Sequence, residues 1–274
     1  MSNVGLLVKG ELYKTIKNRK LWFFFIFIIC LVTISGAKTL GDLETQQQVL
    51  RSSTAVYQDF MHNSISSPEI HSVLGFVKKS ISITWVINIV MIIMASSIIS
   101  NEYSWGTIKY LAVRPFKREK ILIAKFSTII ILNILFYMII ISYSYLVGII
   151  IHGFETQVAG EKLYYITLKL YLYHFISNIP YISLSIMVST LLKSGGLAST
   201  LSIITSILGG MIASVINKYP YAKYILFTNT DLAKYVQGGA PTIGGNEFFS
   251  VMIIFVYSFF FLIISLYIFK KRSI

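Results

Sequence analysis

ILIAKFSTIIILNILFYMIIISYSYLVGIII, residues 121 to 151, is the stretch whose reading decides the fold. It carries one charged side chain, Lys125, near its start. A hydrocarbon core about 30 Å thick is crossed by roughly 20 apolar residues in a helix. This run exceeds that length, so it must tilt or extend into water at one end. Five further apolar runs flank it, at 21 to 37, 81 to 100, 168 to 192, 197 to 217 and 249 to 269. The expectation is an all-α integral membrane protein with six transmembrane helices, built as a single domain over 1 to 274.

Composition agrees. Of 274 residues, 55% are hydrophobic and 15% aromatic, and only 13% are charged, with a mean hydropathy of +0.71. Soluble domains carry about 25% charge. The single cysteine, Cys30, lies in the first apolar run, so neither an intrachain disulfide nor a thiolate metal cluster is available. No cleavable signal is expected, because the first apolar run begins only at Leu21.

The net charge of +13 raises nucleic acid as a partner, but the basic residues sit at the ends of apolar runs. With the N-terminus inside, 15 of the 24 Lys and Arg and 3 of the 11 acids fall in inner segments, giving +12 inside against +1 outside. Such an asymmetry sets membrane orientation and attracts anionic inner-leaflet lipid. It leaves no excess for nucleic acid. Both termini are expected in the cytoplasm.

Residues 1 to 20 read as an interfacial amphipathic helix, with Leu7, Val8, Leu12 and Ile16 on one face and Lys9, Lys17 and Lys20 on another. Residues 38 to 80 read as an external loop in which Ser67-Pro68-Glu69 starts a helix. In the external segment 218 to 248, the patches Tyr224–Phe227 and Leu232–Val236 are too short to span. They suit an interfacial or re-entrant helix pair, with Thr230 as a cap and Gly238-Gly239 as a stop.

Enzymatic motifs are absent. No glycine is followed by lysine, which excludes a phosphate loop ending in Gly-Lys-Ser/Thr, and neither HExxH nor GxSxG occurs. Ser183 or Ser185 with His174 could build an intramembrane hydrolase; ordinary small polar contacts explain those serines better. Asn88, Asn133, His174 and Asn178 need partners in hydrocarbon, either along a translocation path or as bundle contacts. Pro180 is expected to kink its helix.

The inner segment NEYSWGTIKYLAVRPFKREKILIAKF, residues 101 to 126, is the most informative. Asn101 can cap a helix, Ile108, Leu111 and Ala112 recur at helical spacing, and Pro115 ends the element. Lys117, Arg118 and Lys120 then suit headgroup phosphates or acids on a cytosolic partner. Read on its own, Glu102 caps a helix start or pairs with Arg118 or Lys120; an exposed charge at a helix terminus is worth roughly 0.3 to 1 kcal/mol.

Glu102, Gly106-Thr107, Leu111, Pro115, Arg118 and Lys125 together resemble the E…GT…L…P..R……K signature of ABC transporter type-2 permeases. The resemblance covers the whole chain in layout and this segment as a specific motif. It implies an N-terminal interfacial helix, six spans, and a coupling helix over 101 to 115 that docks on a separate ATPase. Glu102, Gly106, Thr107, Ile108, Lys109, Leu111, Arg114, Pro115 and Arg118 would serve coupling. It further implies two ATP-binding subunits holding ATP and Mg, and a second permease copy or sister permease. The dimer seam would lie near Gly209 and Gly210. This chain would bind no cofactor itself and would sit in a bacterial cell membrane. Small permeases of this kind often export hydrophobic or antimicrobial peptides. Two other classes compete. A secondary transporter would want buried ionisable residues, whereas all 11 acids fall outside the span centres. A non-transporting immunity or accessory protein would lack an ATPase partner.

Overall fold

The computed structural model describes residues 2–52, 72–104, 118–153, 161–192 and 194–271. Among them there is no strand, and six helices are long and apolar enough to cross a membrane. In chain order the helices are α1 (Ser2–Ile16), α2 (Arg19–Ser52), α3 (Val73–Lys79), α4 (Thr84–Ser104) and α5 (Arg118–His152). They continue with α6 (Glu161–Leu192), α7 (Gly195–Ile216), α8 (Leu226–Asn229), α9 (Ala233–Val236) and α10 (Glu247–Lys271). A 3-10 turn, Ser80–Ile83, links α3 to α4, and another, Pro220–Tyr224, precedes α8.

Three boundaries differ from the sequence reading. The external loop expected from residue 38 is helical as far as Ser52, because α2 continues beyond its apolar run. The segment has three leucines and three glutamines, which are good helix formers in water. Asn101, expected at a helix start, lies inside α4, whose backbone ladder runs on to Ser104. Thr230 closes α8 rather than starting a new helix, donating its hydroxyl to the Phe227 carbonyl at 2.9 Å. The proposed helix start at Ser67-Pro68-Glu69 lies outside the described residues. The described start is Ser72, whose Oγ accepts the Gly75 amide at 3.0 Å and so caps α3. Pro180 sits within α6, which passes through it without interruption.

The chain forms two compact units. One comprises residues 23–85 and 136–171. Here Phe25 stacks on Phe136 with ring centroids 4.3 Å apart. Gly36 lets α2 approach α5 closely, since a Cβ there would lie 2.8 Å from Val147. Gly148 does the same beneath Val73, at 3.0 Å. The buried Tyr171 hydroxyl donates to the Val77 carbonyl at 2.9 Å, and Lys79 donates to Thr39 at 3.1 Å.

The other unit comprises residues 1–22, 86–135 and 172–274. Serines join α6 to α4: Ser185 donates to the Ile92 carbonyl at 2.8 Å and Ser189 to the Ser96 carbonyl at 2.6 Å. The i, i+4 spacing on both helices stacks these bonds on facing sides. Such interhelical bonds contribute modestly, about 0.6 kcal/mol on average in one membrane bundle. Helix α8 is wedged between α7 and α10. Phe227 fills the space left by Gly209, where any Cβ would overlap the ring. Asn229 holds the wedge, accepting from Ser250 at 2.7 Å and donating to the Lys223 and Ile225 carbonyls. Leu226 and Leu232 pack with Tyr173 and Ile254 in a buried cluster, and Tyr173 donates to Glu247. The positive φ of Gly238, 80°, ends α9 as the glycine stop requires.

Candidate functional site

Four charges from three helices meet in the unit that contains α1. Glu11 and Lys14 stand at i, i+3 and so share a face of α1. Ile98 and Glu102 stand at i, i+4 on α4, and Lys125 comes from the second turn of α5. Lys125 is 1% exposed and Glu102 3%. The Lys125 ammonium lies 2.6 Å from Glu102 Oε1, 3.1 Å from Glu11 Oε2 and 3.3 Å from the Ile98 carbonyl. Two of these contacts, to Glu102 and to the Ile98 carbonyl, are hydrogen bonds donated by the ammonium. The contact with Glu11 is an ion pair without hydrogen-bond alignment. Glu102 Oε1 also accepts from Lys14 at 3.1 Å, and that lysine reaches solvent, with 49% of its side chain exposed.

Two lysines and two glutamates leave this cluster neutral. Neutrality is what permits its burial, because an isolated charge in low dielectric costs several kcal/mol. The joint between α1 and α2 is fixed beside it. Asn18 Oδ1 accepts the Lys20 amide at 3.1 Å, which caps α2, and the Trp22 indole donates to the Ile16 carbonyl at 3.0 Å. An orphan carbonyl at the end of α1 is thereby satisfied.

The cluster changes the reading of Glu102. Its carboxylate is not an exposed helix terminus; it is buried between Lys125 and Lys14. Arg118 opens α5. The remaining expected coupling residues, Gly106, Thr107, Ile108, Lys109, Leu111, Arg114 and Pro115, lie outside the described residues. Glu102 and Lys125 flank that segment on either side, and they touch.

Among the intramembrane candidates, Asn178 and Asn133 are brought together: Asn178 Nδ2 donates to Asn133 Oδ1 at 3.0 Å, with both residues buried. Among the described residues, Asn133 Nδ2 and Asn178 Oδ1 have no hydrogen-bond partner. The buried Asn88 Oδ1 on α4 is also without one among the described residues. His174 stands one turn from Asn178 on α6. Ser183 donates to the Ile179 carbonyl and Ser185 to that of Ile92, both as small polar contacts. Gly209 is occupied within the chain by Phe227, whereas nothing lies within 4 Å of a Cβ at Gly210.

Residues 24–274 match the family described as "Protein of unknown function (DUF2705)". The chain belongs to the DUF2705 family. This DUF2705 member is 30% identical over 228 residues to the uncharacterized protein YhcI of Bacillus subtilis (strain 168), covering 78% of this chain and 73% of YhcI. It is 23% identical over 228 residues to the uncharacterized membrane protein YdbK of the same organism, covering 80% of this chain and 93% of YdbK. The second name accords with a DUF2705 chain that holds six membrane-length helices.

Sequence reasoning missed Glu11 and Lys14. The available signal was Lys125 itself: a cation inside an apolar run demands a carboxylate, and Glu11 is one of the three acids in the segments expected on the inner side.

Proposed function

We propose that this chain is the transmembrane permease subunit of an ABC exporter, driven by a separate ATP-binding subunit. One observation carries the reading: Glu102 and Lys125, members of the Glu…Gly-Thr…Leu…Pro…Arg…Lys pattern, are joined at 2.6 Å. Between them the chain leaves α4 and returns as α5. The two residues that bracket segment 105 to 117 are thus bonded to each other and, through Glu11 and Lys14, to α1. Force applied by an ATPase at 105 to 115 would reach α1, α4 and α5 together, as a rigid-body switch requires.

Several features fit the same reading. The charge split favours cytoplasmic termini, which sets α1 in the inner interface, at the level of the charge cluster. Helix α8, held against Gly209 and Ser250, has the character of a re-entrant wedge on the outer side. Helix α7 presents a mostly apolar face, with Leu201, Leu208, Met211 and Val215 exposed, open to a second permease copy. Gly210 is the glycine on the open side; Gly209 is spent on Phe227. The preferred cargo is a hydrophobic or antimicrobial peptide. Asn133 and Asn178, buried and each with an amide atom unsatisfied among the described residues, would offer polar contacts to it.

The test is isolation of the tagged chain from its native membranes in mild detergent. A co-isolated subunit carrying a phosphate loop, in two copies per pair of permease chains, is expected. A monodisperse preparation of this chain without such a subunit would reject the proposal.

A further inference from the structure

A groove of about 720 Å³ opens beside the α1–α2 joint. Lys17, Arg19 and Lys20 are in its lining, and Met94, Ile98 and Ile129 contribute apolar side chains to it. The three cations are exposed, and among the described residues none is paired with a carboxylate. The acid in the lining, Glu11, is engaged by Lys125. The groove therefore combines uncompensated positive charge with an apolar wall.

Its position in the helices matches that division. Arg19 and Lys20 begin the membrane-length part of α2, where a span that crosses a bilayer meets the headgroups. From Asn101 to Met94 the lining descends α4 by roughly 10 Å at 1.5 Å per residue. A small soluble anion would use the cations and leave the apolar wall against water. An amphiphile with an anionic head would use both, and basic pockets between membrane helices bind such headgroups.

We propose that this groove holds one anionic glycerophospholipid, its phosphate at Lys17, Arg19 and Lys20 and an acyl chain along Met94, Ile98 and Ile129. The site requires only that α2 and α4 cross a bilayer; it stands apart from the exporter reading. The bound lipid would fill the space under the α1–α2 joint, next to the charge cluster, and brace α1 against the bundle.

The test is native mass spectrometry of the full chain in detergent, titrated with phosphatidylglycerol, with phosphatidylcholine of the same acyl chains, or with glycerol 3-phosphate. One phosphatidylglycerol per chain should be retained at concentrations where phosphatidylcholine is not. K17Q/R19Q/K20Q should weaken retention about tenfold or more, and Ser97→Phe, which narrows the groove without changing charge, should also weaken it. K9Q/K270Q/K271Q removes three charges elsewhere and should leave retention unchanged, and all variants should elute as the parent does. Equal retention of both lipids, or equal weakening by the K9Q/K270Q/K271Q control, would overturn the site. Glycerol 3-phosphate binding as tightly as lipid, or Ser97→Phe without effect, would overturn the acyl seat and leave a soluble-anion site.

Discussion

Lys125 concentrates the physics of this chain in one side chain. It is buried to 1% exposure and remains compatible with a membrane bundle only because Glu102 and Glu11 neutralise it. Removing one partner of a buried pair costs about 3 to 5 kcal/mol, since the other is left charged and unpaired. Glu102→Gln and Lys125→Met should each lower stability by about that amount, far more than an exposed helix cap would lose. The double variant leaves Glu11 and Lys14, a neutral pair on one face of α1. It should therefore be less destabilised than the sum of the singles, read as unfolding midpoints in detergent titrated with SDS. Additivity within about 0.5 kcal/mol would show that the two side chains do not act on each other. The cluster was half legible beforehand. Glu102 and Lys125 stood out in the sequence, but their partners lie on a helix separated from them by many residues, and only folding reveals which acid a buried lysine meets.

The two adjacent glycines of α7 behave as opposites, which gives the wedge around α8 its own test. Gly209 faces Phe227 and Gly210 faces open space. Gly209→Ala must displace an aromatic ring and should cost about 1 to 3 kcal/mol, as overpacked cores do. Gly210→Ala should leave stability equal or raised by about 0.5 to 1 kcal/mol, because alanine is the better helix former. Thermal unfolding of the two purified variants checks this; similar effects would place Phe227 elsewhere. Helix cores were the legible elements, since the six apolar runs report themselves through length and hydropathy alone. Ends were less so. Residues 38 to 52 are polar and yet helical, because hydropathy records where a helix leaves lipid rather than where its hydrogen bonds stop. The glycine stop after α9 was readable because positive φ is a local demand. The role of Gly209 was not, because it depends on a ring brought in from another element.

At the scale of the whole molecule, the six membrane-length helices among the described residues supply a scaffold in which one ion pair, Glu102 with Lys125, joins the end of α4 to the start of α5. That arrangement carries the proposal that ATP hydrolysis in a partner subunit moves the bundle through residues 105 to 115. A proline at Ile108 would break any helix there at a cost of about 3 kcal/mol in that element. It leaves the Glu11–Lys125–Glu102 cluster and the spans untouched. The most direct measurement is substrate-stimulated ATP hydrolysis by the complex isolated from native membranes, compared between the parent chain and Ile108→Pro at equal membrane expression. The account predicts ATP hydrolysis in the parent complex, with stimulation lost in Ile108→Pro while the six-span chain still accumulates and elutes as before. Hydrolysis with undiminished stimulation in Ile108→Pro, or no hydrolysis associated with the chain at all, would contradict it.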